Sequence, residues 1–545
     1  MTTAPPPAES GRGWGPGPAL LLLLALTLAV EGMAGTFGGP FARGWLGHNG
    51  ARYSQIGRNH ERLGLMHLRA APLLDAEPAA QAPPGDGQPG PPPRPDVYAH
   101  HPPGLGLTLG AVFRVFGVGE DAARAVPATA TLLALLLLAW LVAGVAGAPS
   151  GSGAGTGALA ALIAASMPMV SVYGAHVDVQ GPPVLLLSLA TLWAYRRWLQ
   201  GGGVLPLLVA SAAASAFDWY GLYAPAGCAL HLGITQPARR RAALGLAAWT
   251  GLLFVGWLTW LLTLPGMSRD VLGEAAGVRG WGQLLALRDQ LGPGLEAWSL
   301  ETHRLLMPAW ALFVLLFLLW LVVPPPGDRR APGARGPLGR TGLSALLLLP
   351  PLVHGLVFPT GMLQHGYWLF ALPYGLAAMM ALYLRRIWSG GRRWQRVLAV
   401  AWVLMLVVVG RHQTAQLLAP AGVDSMPALV GTGIHEQTTP GDVVLTSFDC
   451  NPLEPGRAAG YVLKHPAVTF YADRTVRGGI GSPAELERAL ELVPGATWFL
   501  LTPPPDGWVG GQPDPALAAA VAARSTGEPR VLSGDPPVSL HRLAR

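Results

Sequence analysis

Residues 125–147 read Ala-Val-Pro-Ala-Thr-Ala-Thr-Leu-Leu-Ala-Leu-Leu-Leu-Leu-Ala-Trp-Leu-Val-Ala-Gly-Val-Ala-Gly, with no charged side chain in the run. A helix needs about 20 predominantly apolar residues to cross a bilayer, and this stretch supplies them. Glu120, Asp121 and Arg124 flank it on one side and a Gly/Pro/Ser-rich loop on the other. It therefore reads as a membrane span. Working outward, the same reading applies to about 17–34, 156–173, 182–198, 204–217, 221–236, 242–264, 305–323, 342–358, 367–384 and 397–410, about 11 spans in all. Composition agrees: of 545 residues, 51% are hydrophobic and 12% charged, with a mean hydropathy of +0.38. Soluble domains carry about 25% charged residues, and disorder needs low hydrophobicity with high charge. An ordinary cytosolic enzyme and a disordered chain are both excluded. The first segment has the alternative of a signal peptide, with Arg12 as its charged region. No small-x-small cleavage site follows, so it reads as a retained helix.

Every basic residue except Lys464 is arginine, which codon bias in a GC-rich genome explains. The net charge of +7 does not point to nucleic acid, because the arginines cluster between apolar runs. Cytoplasmic loops carry the excess of Lys and Arg. With the N-terminus placed in the cytoplasm, Arg196–Arg197, Arg239–Arg241, the group Arg329, Arg330, Arg335 and Arg340, and the group Arg385, Arg386, Arg392, Arg393 and Arg396 all fall on that side. Residues 35–124 and 265–304 then form long outer loops. Residues 1–410 make up the membrane module and 411–545 an extracytoplasmic C-terminal domain. Cys228 and Cys450 lie in unlike surroundings and offer no disulfide framework.

The C-terminal part reads as a small α/β domain. Val443–Ser447, Ala467–Tyr471 and Thr497–Thr502 are β-branched or aromatic runs bounded by turn residues, the pattern of strands. Ser482-Pro-Ala-Glu485 is a helix start, with the cap, the proline and the acid in their places.

Polar residues gather on the outer side. The first loop opens with Gly47-His-Asn-Gly-Ala-Arg-Tyr-Ser-Gln-Ile-Gly-Arg58 and leads into a short helix with Leu63 and Leu65, expected on the membrane surface. Arg52 and Arg58 suit a phosphate, since Arg offers a bidentate fork, or serve as interfacial anchors. Tyr98-Ala-His-His-Pro-Pro103 places His100 and His101 before a proline turn; histidine carries protons or binds metals. Tyr173-Gly-Ala-His-Val-Asp178 places His176 and Asp178 in a short outer loop, where an acid near hydrocarbon is a functional candidate. Asp218-Trp219 and His365-Gly-Tyr367-Trp368 repeat the pattern. Of 14 histidines, only His231 is placed within a span and none in a cytoplasmic loop. A divalent metal is an open candidate, although no His-x-x-x-His spacing is present.

At these residues the chain resembles bacterial GT-C membrane glycosyltransferases, in particular family 39, the protein mannosyltransferase and aminoarabinose–lipid A transferase type. That family opens its first outer loop with Asp-Glu-x-x-Tyr-x-x-Ile-x-Arg, where this chain has Asn49-Gly50-Ala-Arg-Tyr53-Ser-Gln-Ile56-Gly-Arg58. It continues with Tyr-x-x-x-Pro-Pro and Phe-Gly-x-x-x-x-Ala-Ala-Arg, matched by Tyr98–Pro103 and Phe116–Arg124, and Asp178 stands where a loop Asp is usual. The resemblance covers roughly residues 15–410. It implies a GT-C-like membrane fold and sugar transfer from a polyprenyl-phosphate donor to a lipid, glycan or protein acceptor, on the outer face of the bacterial inner membrane. It implies His48, Asn49 and Asp178 as catalytic candidates. Arg52, Tyr53, Arg58, His100, His101, His176, Asp218, His365 and Tyr367 become donor-phosphate and substrate candidates. The family's first-loop Asp, its expected base, is Asn49 here, and its Glu is Gly50; His48 and Asp178 are the replacements. A GT-C-like scaffold with altered catalysis is the alternative that Asn49 motivates. A transporter or flippase would carry repeats and polar residues at the bilayer midplane, whereas here they gather at one face.

Overall fold

The computed structural model describes residues 15–41, 44–74, 97–98, 100–146, 152–264, 305–306, 340–359, 366–390, 393–418, 426–447, 466–493, 495–502, 514–534 and 537–544. The first ten helices are α1 (Pro16–Ala34), α2 (Gly44–Leu63), α3 (Gly104–Phe116), α4 (Glu120–Ala146), α5 (Ser152–Ala165), α6 (Pro168–Tyr173), α7 (Pro182–Leu199), α8 (Leu205–Phe217), α9 (Tyr223–Thr235) and α10 (Arg240–Leu262). After them come α11 (Arg340–Val357), α12 (Leu372–Gly390), α13 (Arg393–Leu418) and α14 (Met426–Gln437). Among the described residues, Pro16–Ala34, Glu120–Ala146, Pro237–Leu262 and Arg393–Leu418 are long and apolar enough to cross a membrane. Shorter apolar helices accompany them. The protein is an integral membrane protein with an α-helical polytopic fold.

The apolar runs become helices close to where the sequence places them, and their prolines mark the starts. Proline at N1 or N2 opens α1, α6, α7 and α8, where its missing N–H is not needed. One expected span is divided. Pro168 cannot donate to the turn before it and clashes with that turn's carbonyl, so the run 156–173 splits into α5 and α6. The run 305–323 lies outside the described residues apart from Leu305 and Leu306, as does the loop 265–304. Helix α13 runs straight through position 410, where the sequence suggested a boundary.

The main core joins α1, α4, α5, α7 and α12 through residues such as Leu135, Leu138, Tyr195 and Tyr374. Helix α4 spans its full depth, at about 1.5 Å per residue. Near its C-terminus the carbonyls of Gly144 and Ala146 accept from Arg196 (3.0 Å) and Arg385 respectively. Arginines suit the exposed carbonyls and negative dipole end of a helix C-terminus. Two of the basic clusters therefore meet at one end of the bundle. At the other end Glu120 receives the Tyr471 hydroxyl at 2.7 Å.

The opening of the first outer loop is not a loop. The stretch from Gly47 to Arg58 lies entirely within α2, which ends at Gly64 with φ +96°. Ile56 does not face a membrane surface; it is 2% exposed, in a core with Leu105, Leu109 and Phe113 of α3. Gly57 makes that contact close, because a Cβ there would stand 2.6 Å from the Leu109 Cβ.

The C-terminal part forms a five-stranded sheet of order β2-β1-β3-β5-β4, from β1 (Val443–Thr446), β2 (Thr475–Arg477), β3 (Ala496–Leu501), β4 (Arg530–Gly534) and β5 (Pro537–Arg542). Strand β1 pairs parallel with β2 and β3, while β5 pairs antiparallel with β3 and β4. The expected strand at Ala467–Tyr471 is instead the helix Pro466–Ala472, α15. Pro466 starts it, and packing against α2 outweighs the β propensity of Val468 and Thr469. The expected helix start at Ser482 is present: Ser482 accepts from the Glu485 amide and Glu485 from the Gly481 amide.

Candidate active site

Five stretches far apart in sequence meet at the Glu120 end of the bundle. Val177 and Val179, which flank Asp178, share one core with Tyr53 of α2, Tyr98, Ala123 of α4 and Phe470 of α15. Asp178 is thereby held against α2 and is 3% exposed. One of its oxygens accepts from Asn49 Nδ2 at 2.6 Å and the other from the Gln180 amide at 2.8 Å. His176 Nε2 stands 3.9 Å from the first of these oxygens. Burial pushes the His176 imidazole down to about 3, so it is neutral at physiological pH.

One turn along α2 from Asn49, Arg52 is 8% exposed. Its Nη1 donates to the Tyr98 hydroxyl at 3.1 Å, its Nη2 contacts His48 Nε2, and its guanidinium lies 4.6 Å from the centre of the Tyr98 ring. None of these partners is an acid. Among the described residues Arg52 makes no ion pair, and its Nε has no hydrogen-bond partner. Tyr98 is the hub of the group, with ring centres 4.7 Å from His100, 6.1 Å from His101 and 6.2 Å from Tyr53.

The second acid is Asp218, which is completely buried at the start of a short 3₁₀ turn. One oxygen caps that turn by accepting from the Tyr220 amide at 2.7 Å; the other lies 2.6 Å from His101 Nδ1. Burial alone pushes the Asp218 carboxyl up. The charge and hydrogen bond of His101, with the Tyr220 amide, outweigh that and hold it below the usual carboxylate range. Trp219 fastens the same turn to the His100 carbonyl at 2.8 Å.

Arg58 does not join this group. It is turned toward the C-terminal part, donating to the Phe470 carbonyl at 2.7 Å and pairing with Asp473 at 3.1 Å. Its guanidinium is occupied by these contacts rather than by the Arg52 group. His365 lies outside the described residues, and Tyr367 sits in a 3₁₀ turn, Gly366–Leu369. Sequence reasoning passed over Tyr98 as a site residue, although its place at the head of Tyr98–Pro103 was visible. His354 is boxed by Tyr223, Phe358 and Trp368 with ring centres 4.8–5.7 Å away. No three of His, Cys, Asp and Glu among the described residues come together as a metal-holding set.

No protein-family model and no curated protein matches this sequence. Solved structures do match. The crystal structure of ArnT from Cupriavidus metallidurans bound to undecaprenyl phosphate aligns with a TM-score of 0.51, over 96% of this chain and 97% of that one, at 15% identity. The apo state of the same protein aligns over the same shares with a TM-score of 0.44. ArnT is an aminoarabinose–lipid A transferase.

This chain shares the fold of ArnT.

At 15% identity the likeness is one of fold. Within this fold the polar group sits where α2, the short loop before α7 and the turn after α8 converge. Arg52 and the two carboxylates are drawn from three different elements.

Proposed function

We propose that the protein is a bacterial inner-membrane glycosyltransferase that moves a sugar from a polyprenyl-phosphate donor to an acceptor at the extracytoplasmic face. The observation that carries this reading is Arg52, a buried cation with no carboxylate partner among the described residues. A buried charge is expensive unless it is paired, and a lipid phosphate supplies the missing anion. The bound undecaprenyl phosphate of the ArnT structure supports a ligand of this class. The arginine clusters at the far end of α4 support a cytoplasmic placement for that end.

In this reading the acceptor's oxygen attacks the anomeric carbon, the carbon–oxygen bond to phosphate breaks, and polyprenyl phosphate leaves with the bonding pair. Negative charge grows on the departing phosphate, and Arg52 stabilises it together with a protonated His101. The acceptor's proton goes to Asp178, which Asn49 and the Gln180 amide orient. Such a base contributes typically about 10²–10⁴-fold in rate. Tyr53, Tyr98 and His100 line the sugar side, and His48 steadies Arg52.

The test is donor turnover by the purified protein in lipid nanodiscs, with a panel of polyprenyl-phosphate sugars and acceptors, with and without EDTA, following release of polyprenyl phosphate. Asp178→Asn is expected to lose at least about 100-fold in turnover with donor binding retained. Equal turnover by the variant would remove Asp178 from the mechanism. A second reading, a GT-C-like scaffold without catalysis, is favoured by Asn49 alone. It is supported if folded wild-type protein binds donor tightly yet turns none over.

A further inference from the structure

The seven-residue helix α15 touches three elements far from it in sequence. Tyr471 takes the Phe41 amide at 2.7 Å and donates to Glu120 at 2.7 Å. The Phe470 ring packs edge-on against Phe41 at 5.5 Å and beneath the Arg58 guanidinium at 4.3 Å. Asp473, just after the helix, receives Arg58 on one oxygen and Arg62 on the other. Its backbone has φ +50°, a left-handed conformation that Asp adopts more readily than most residues. Nothing in the turn itself requires an acid there, whereas the two arginines do. Both arginines lie on α2, the helix that carries Asn49 and Arg52.

We propose that Asp473 is a positioning residue for the site, fixing through Arg58 and Arg62 the rotation and depth of α2 at which Asn49 meets Asp178 and Arg52 meets Tyr98. The geometry favours action at a distance along a rigid element. Arg58 lies six residues beyond Arg52, less than two turns of helix. The α2–α3 contact at Gly57 is too close to absorb a tilt without moving the whole helix. An error of about 1 Å at reacting groups costs as much as about 100-fold in rate. The C-terminal part thus bears on the reaction through α15 and the turn after it without contributing a group to it.

The functional arm of this inference rests on the glycosyltransferase reading; the structural arm does not. Asp473→Asn keeps the shape and removes the charge, while Asp473→Glu restores it. In the full-length protein in nanodiscs, amide hydrogen exchange is measured over residues 44–63. In Asp473→Asn, faster exchange is expected to extend from the Arg58 turn back to Asn49–Arg52, with wild-type protection recovered in Asp473→Glu. Exchange unchanged at Asn49–Arg52, or a change confined to residues 58–63, overturns the proposal whatever the activity. Where wild type turns donor over, Asp473→Asn is expected to lose about 10- to 100-fold in kcat, with the donor KM within about twofold and substantial recovery in Asp473→Glu. A raised donor KM with unchanged kcat also overturns it. If wild type turns nothing over, the transferase reading fails and the exchange result still decides the coupling.

Discussion

Asn49 shows what one atom decides. Its amide nitrogen donates to Asp178, so the pair is neutral with charged, with each group's needs met. Asn49→Asp would set two carboxylates about as close as the present 2.6 Å contact, and like charges at that range cannot both ionise. The variant is expected to lose about 2 kcal/mol of stability at pH 7. The loss should shrink as the pH falls toward 5, because the folded pair keeps a shared proton at pH 7 that the unfolded chain gives up, and that difference narrows toward the ordinary carboxylate value. Thermal unfolding of the variant and wild type across that range reads the difference directly; a pH-independent difference would sink the account. The identities of Asn49, Arg52, His101, Asp178 and Asp218 were readable in the sequence as polar residues in apolar surroundings. Their pairing was not. Which acid meets which partner depends on contacts across more than a hundred residues, between Asn49 and Asp178 or His101 and Asp218, and no local pattern encodes them. The partner of Arg58 was hidden for the same reason, since it lies 415 residues away.

Among the elements, α2 is the one on which the site depends, and its seat is set by a missing side chain. Gly57→Leu would force the helix away from Leu109, where even a Cβ has only 2.6 Å. Overpacking of this kind costs about 1–3 kcal/mol. Melting of the variant in detergent is expected to fall accordingly, and donor binding with it, because Arg52 moves with the helix. A stable variant with weakened donor binding would still fit; a stable variant with wild-type binding would not. The spans of the fold were legible because hydrocarbon demands long apolar runs, and α4 or α7 could be bounded within a few residues. The site helix was less legible. Gly47, Gly50 and Gly57 dilute its helical signal, and only packing against α3 and α15 makes it a helix of 20 residues. The C-terminal helix α15 was mistaken for a strand because Val468, Thr469, Phe470 and Tyr471 are β-formers by composition, overruled by what they pack against.

At the scale of the whole molecule, acid is expected to destabilise the Glu120 end of the bundle first. Burial lowers His60 to about 4 and His176 to about 3. An unfolded histidine titrates near 6.5, so between about 6.5 and those values the unfolded chain binds more protons than the folded one. Stability therefore falls as the pH drops through that window and levels off below it. Asp218 acts in the same direction at lower pH: its contribution is present above the ordinary carboxylate value and disappears as the pH falls through its depressed one. Unfolding midpoints are expected to decline from pH 7 to 4, and His60→Gln to flatten part of that slope. A midpoint constant over this range would show that these histidines are not buried neutral.

The bond between Arg58 and Phe470 joins positions 412 residues apart. A ribosome adds about 5–20 residues per second, so the partner of Arg58 emerges roughly 20–80 s after Arg58 does. Through that interval the membrane helices can insert and pack before Asp473 reaches Arg58. The seat of α2 thus joins early residues to late ones: an acid at position 473 closes a contact that the helix opens at position 58.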